Sequence, residues 1–301
     1  MATMLQLVQQ VTGELGLPVP ATVAGNPNQD VSQILALMNA SGYELLRRAD
    51  WRELTKQHTF YTESISVNGS WSDASTTLTV DSSAGIDTTY QVSGDGIPNA
   101  TYVTSVPNAV SVVINYKPTS TEVNQPLSFQ KVKYALPADY YSTVNRTHWD
   151  KSKRWEMLGP ESPQQWEWLL SGYISTGPRI RWRLLGKYFQ IWPGVSSGEL
   201  LGFEYRSAAW AISAAGAAKN SFTADDDTCI YPDRVMVLGT KLKYFEAKGF
   251  DTTAIFRDYV AELETAIGQD TAGANLSFAP RPGTVLIGYD NIPDSGYGYD
   301  N

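Results

Sequence analysis

Cysteine and histidine are nearly missing from these 301 residues: Cys229 stands alone, and His58 and His148 are the two imidazoles. A single cysteine excludes an intramolecular disulfide framework. No stretch approaches the ~18 consecutive apolar residues of a membrane span, so no membrane partner is expected. Residues 1–20 hold no cationic segment followed by an apolar block, so no signal peptide is expected. Asn145-Arg146-Thr147 fits a glycosylation sequon, which without a secretion signal reads as chance. Positive charge is short as well: 31 acids stand against 23 bases, a formal charge of −8. That balance argues against a broad basic face for gripping nucleic acid. It suits a surface past which DNA slides without sticking, and it equally suits many other soluble proteins.

Apolar material, by contrast, is plentiful. Hydrophobic residues make up 42% of the chain, with nine Trp and seventeen Tyr, so global disorder is excluded. The length allows one large domain or two ordinary ones. A chain of this size buries roughly 75% of its unfolded surface and needs no covalent staples.

Two helices open the chain. Met4, Val8, Val11 and Leu15 make one apolar stripe, and the Gly/Pro breakers from Gly16 onward end it. Asp30 is placed to cap a second helix carrying Val31, Ile34, Leu35, Met38 and Leu45, with Arg47 and Arg48 in its last turn. The composition then changes. Between Gln57 and Tyr116 there is no Lys or Arg, and short alternating runs such as Thr77-Leu78-Thr79-Val80 read as strands. This Ser/Thr-rich module, 63–125, reads as a small β-domain inserted into a host made of residues 1–62 and 126–271. In the second part of the host, Ser162-Pro163-Gln164-Gln165 predicts a helix start before Trp166, Leu169, Leu170 and Tyr173. Residues 179–184 and 187–192 predict a hairpin, with 200–205 as its third strand. Val235, Leu238, Leu242 and Phe245 predict one long helix stopped by Gly249. A second, capped by Asp251, carries Ile255, Phe256, Tyr259, Val260, Leu263 and Ile267. The expected class is α+β: a bundle of about four helices, a β-rich part, the inserted β-domain, and an extended arm over 272–301. That arm cannot offset its own ordering entropy alone and needs a surface to order against.

Candidate chemistry is thin. His148-Trp149-Asp150 could pair a base with an acid, yet adjacent positions hold the ring poorly and no nucleophile elbow is present. Cys229 reads as structural. Asp225-Asp226-Asp227 lacks the spacing and glycine of a calcium loop, and reads as a solvated loop whose end starts the next helix. Glu156, Glu161 and Glu167 beside Trp155, Trp166 and Trp168 superficially resemble a sugar cleft, though Trp at helical spacing is more often core. Arg179, Arg181 and Arg183 alternate on one strand face. They would meet an acidic partner or DNA phosphates, or form a solvated face. No catalytic residue, metal or cofactor is expected.

Several segments are familiar together. Tyr43-Glu44-Leu45-Leu46-Arg47-Arg48-Ala49-Asp50-Trp51 closes the opening helix pair. Leu136-Pro137-Ala138-Asp139-Tyr140, Tyr188-Phe189-Gln190-Ile191-Trp192-Pro193, Phe203-Glu204-Tyr205 and Asp227-Thr228-Cys229-Ile230-Tyr231-Pro232-Asp233 follow. In these the chain resembles phage head-to-tail adaptors of the tail tubular protein A type found in short-tailed phages. The module around 78–114 looks like small β-domains inserted in many phage structural proteins.

The resemblance implies a structural virion protein at the head–tail junction, assembled in the host cytoplasm, and no enzyme. It implies a dodecameric ring between the portal protein and the tail nozzle, tubular or fibre proteins. DNA would pass through the ring without sequence-specific binding. It also implies an arm that reaches the portal or a neighbour, with Phe278, Leu286, Ile287, Tyr289, Ile292, Tyr297 and Tyr299 as contacts. Arg179, Arg181 and Arg183 are the expected subunit or DNA contacts. The alternatives are a virion-associated cell-wall-degrading enzyme, resting on the Glu/Trp block, and a carbohydrate- or receptor-binding tail protein, resting on the β-module.

Overall fold

The computed structural model describes residues 1–171 and 180–270. Its helices are α1 (Met4–Leu15), α2 (Gln29–Arg48), α3 (Pro163–Leu170), α4 (Asp233–Lys248) and α5 (Thr253–Asp270). Each forms where an apolar stripe meets a capping signal. Thr3 and Gln6 close a reciprocal capping box on α1, whose Met4, Leu7, Val8 and Val11 are buried. On α2 the cap is Asn28, which accepts from the Asp30 amide, and not Asp30 itself. Asp30 instead sits in the first turn, where a carboxylate complements the helix dipole. The Asp251 carboxylate accepts from the Thr253 amide at 3.0 Å and so starts α5. The stripe of α5 is narrower than its sequence predicts: Tyr259, Leu263 and Ala266 are buried, while Phe256 is 53% exposed.

Helix α4 is buried on nearly every side because it packs on α1, α2 and α5. These four helices share one core with Trp210, Phe222, Cys229 and Tyr231. Those four residues come from segment 208–231, which carries a small sheet of Ala218–Lys219, Ala211–Ile212 and Thr228–Cys229. Trp210 lies flat over α2 at Gly42, where a Cβ would stand 2.3 Å from its ring. Only glycine admits so close an approach.

The expected class is overturned. A helical bundle with one small inserted β-domain does not describe a protein in which, among the described residues, seventeen strands in four sheets accompany five helices. The fold is β-rich. The expectation failed because twelve of the seventeen strands hold five residues or fewer, which gives too few alternations to register as periodicity.

Six antiparallel strands make the largest sheet, in the order Tyr90–Ser93, Glu122–Lys131, Ser64–Trp71, Thr77–Val80, Ser111–Ile114, Val103–Asn108. It closes on Trp71, Leu78, Val80, Val92, Val112, Leu127 and Phe129. A second sheet centres on Leu200–Ser207, flanked by Thr55–Tyr61 on one side and by Trp149–Asp150 and Tyr140–Thr143 on the other. Strand 200–207 is therefore not the third strand of the hairpin. That place belongs to Lys133–Ala135, which pairs with Tyr188–Trp192 beside Arg181–Leu185. The second sheet and the hairpin sheet share an aromatic core of Tyr134, Trp182, Phe189, Phe203 and Tyr205, in which Phe189 and Phe203 stack at 4.9 Å.

Candidate functional site

The residues singled out for chemistry fall into three surroundings. His148 is 1% exposed inside the aromatic core and stacks on Trp182 at 3.7 Å. Its Nε2 meets Thr143 Oγ1 at 3.0 Å, while Nδ1 has no protein partner. Asp150 does not orient the ring; its Oδ1 accepts from the Lys153 amide. Burial drives the imidazole down to about 4, so the ring is neutral and packed as an aromatic disc. His58 also lies lowered, by burial against the pull of Asp139, and stacks with Phe60.

Cys229 is fully buried and burial pushes its thiol up to about 12, so it is no nucleophile. The aspartate run is not the solvated loop its sequence suggests. Asp227 is 0% exposed and holds Lys219 Nζ at 2.7 Å and the amides of Thr223 and Ala224. Burial would raise its carboxyl, but these donors hold it lowered. Asp225 Oδ1 accepts from the amides of Val23 and Ala24, and only Asp226 faces solvent. Helix α4 starts at Asp233 after Pro232, with no side-chain cap, so neither Asp227 nor Thr228 starts it. The run is a fastener between the α1–α2 connection and the segment before α4. Among the described residues, no group of three or more His, Cys, Asp or Glu is placed to hold a metal ion.

Among the described residues, the Glu/Trp block is not gathered into one cleft: Glu167 lines a cavity with Tyr102 and Leu170 that holds neither Glu156 nor Glu161. Glu161 is occupied by Arg181 at 2.6 Å, its side chain 7% exposed, and Trp166 is core, with the Arg183 guanidinium stacked over its ring at 4.5 Å. Arg183 also donates to Gln190 Oε1 at 2.9 Å. Arg183 thus braces α3 against the hairpin and Arg181 braces the segment just before it, so the two described arginines of the triplet are engaged within the chain. Arg179, Tyr173 and the arm residues Phe278, Leu286, Ile287, Tyr289, Ile292, Tyr297 and Tyr299 lie outside the described residues.

Two features carry no simple sequence motif. Asp139 is a hub: it accepts from Lys56 Nζ, Tyr205 Oη and Ser207 Oγ. Burial opposes its charge, yet these hydrogen bonds and the Lys56 charge hold it at about 2. The second is a cleft of about 440 Å³ on the second sheet, lined by Gln57, Arg146, Thr147, Trp149, Asp150, Lys151, Arg154 and Glu204. A count of cations along the chain signals it, since Arg146, Lys151, Lys153 and Arg154 fall within nine residues. The hub has no such signal, because its partners lie 66 to 83 residues away in sequence.

No helix among the described residues is long and apolar enough to cross a membrane. No protein-family model matches the chain, and no curated protein matches it.

Proposed function

We propose that this protein is a structural part of a short-tailed phage: a subunit of the adaptor ring that joins the portal to the tail. The supporting observation is where the adaptor-like segments fall. They are far apart in sequence and pack on one another. Trp51, in segment 43–51, meets Tyr231 of segment 227–233 edge-on at 5.1 Å, and Tyr231 Oη reaches the Gly42 carbonyl at 3.3 Å. Asp139, in segment 136–140, binds Tyr205 of segment 203–205 at 2.8 Å. Phe189, in segment 188–193, stacks on Phe203. Arg206 and Asp50 then tie the helical side to the sheet side at 2.5 Å. A chance likeness has no reason to fall on residues that touch, whereas a shared scaffold does, because packing fixes side chains jointly.

In this reading the subunits close a dodecamer by head-to-tail contacts. The ring binds the portal on one side and tail nozzle, tubular or fibre proteins on the other, at the head–tail junction of the virion, and DNA crosses its centre. No catalysis is assigned. The test is assembly: full-length protein mixed with portal rings of the same phage, followed by native mass spectrometry. Saturable addition of twelve copies per portal is expected. A portal that takes up none contradicts the proposal.

A further inference from the structure

We infer that the cleft at 146–154 binds the phosphodiester backbone of nucleic acid through Arg146, Lys151 and Arg154. The first observation is charge. The chain carries −8 overall, yet four cations crowd into nine residues here; of the two acids in the cleft's lining, Asp150 is buried and Glu204 half-buried, while the cations stand exposed. Lys153 has Glu199 at 3.5 Å. Arg146, Lys151 and Arg154 are exposed and, among the described residues, make no ion pair.

The second observation is backbone. Four non-glycine residues among those described take left-handed conformations: Ala100, Asn124, Arg146 and Arg154. Two of the four are arginines of this one cleft. Left-handed backbone disfavours a side chain with a Cβ, so arginine at both places is retained against local preference, as happens at functional positions. Lys151 is also placed deliberately. Its stem crosses Gly202, where a Cβ would stand 2.8 Å from Lys151 Cε, and Gly202 pairs with Trp149 in the sheet.

The third observation selects the partner. Trp149 is the sole apolar side chain in the lining. Protein interfaces deplete charge at their centre, whereas nucleic-acid interfaces are polar and strongly positive. Arginine supplies the planar fork that matches a phosphate. With only three free cations the grip is weak, screened by salt and blind to sequence, so DNA can move across it. The cleft is read from charge and geometry alone. A chain that binds DNA but ignores the portal fails the adaptor reading and leaves this one standing, and the reverse outcome does the opposite.

The experiment is fluorescence anisotropy of a labelled mixed-sequence duplex with the full chain. Affinity is expected to fall about 40-fold between about 50 and about 200 mM salt, the slope for three neutralised phosphates. The variant Arg146→Gly/Lys151→Gln/Arg154→Gly should lose at least about tenfold in affinity at the lower salt. Because glycine suits both left-handed positions, its melting temperature should equal or exceed that of the native chain. Lys151→Gln alone touches neither position and should give a partial loss, which keeps the test readable if the triple variant misfolds. Native and variant chains binding equally, or no binding by the native chain at low salt, overturns the inference. So does a variant that changes self-association while DNA binding stays the same, since that assigns the cleft to a second copy of the chain.

Discussion

The six-stranded sheet and the neighbouring aromatic core bury their interiors in different ways. The first fills its core mainly with Leu, Val and Ile, and its buried polar residues are Ser83, Gln91 and Thr101, none of them charged. The second stacks rings and encloses His148 and Asp150, both 1% exposed, beside the Glu161–Arg181 pair. The sheet should therefore ignore pH over a range in which the aromatic core responds. The difference also separates the resembling segments: 136–140, 188–193 and 203–205 reach the aromatic core or its supports, 227–233 enters the small sheet on the helical core, and none enters the six-stranded sheet.

The largest effect that would sharpen this contrast is Trp182→Ala. Trp182 is 1% exposed and stacks on His148 and Phe189, so its removal should cost about 3–5 kcal/mol, seen as a lower denaturant midpoint. Amide exchange should loosen first along 181–192 and 200–207, with strands 64–71 and 122–131 less affected. Equal loosening of both regions would break the comparison.

Next is pH. His148 sits at about 4 when folded against an ordinary 6.5. A lowered folded value means stability is full above about 6.5 and is lost as pH falls toward 4, by about 3 kcal/mol at the lower limit. The lowered carboxylates Glu14, Glu44, Asp139, Asp227 and Asp251 act below their own ordinary values, so the upper part of that window belongs to the histidines. His148→Phe should flatten the melting-temperature profile between pH 6.5 and about 4.5; an unchanged slope would remove His148 as its source.

A smaller effect comes from Gly42→Ala. The added methyl would strike Trp210 and should cost about 1–3 kcal/mol by overpacking, read in thermal melts. The smallest is Thr79→Ala on the exposed face of the six-stranded sheet, expected to stay within about 0.5 kcal/mol.

The sequence made the helices legible because their apolar stripes keep helical spacing beside a capping or stop signal: Met4, Val8 and Val11 on α1, and Val235, Leu238 and Leu242 on α4. The hairpin was legible too, through alternation on either side of Leu185-Gly186. Sheet partnership was not. Thr55–Tyr61 pairs with Leu200–Ser207 from far along the chain, and alternation says which residues share a face, never which strand lies alongside. The same limit explains Arg181 and Arg183. Their common face was readable, but Glu161 and the Trp166 ring that cover it arrive from another element. Asp227 looked solvated because a run of three acids usually is, and its burial depends on Lys219 and on amides turned toward it by the fold. The cationic cleft was partly readable, since its arginines and lysine are close in sequence, while Gln57 and Glu204 reach it only through strand pairing.

We propose that this chain is a ring subunit between portal and tail. Cryo-electron microscopy of the virion tests it most directly. Twelve copies of this β-rich subunit are expected to encircle the DNA path directly beneath the portal, with segments 43–51, 136–140 and 203–205 inside each subunit. Its absence from that junction, or its presence only at the tail tip or on the capsid surface, would contradict the claim.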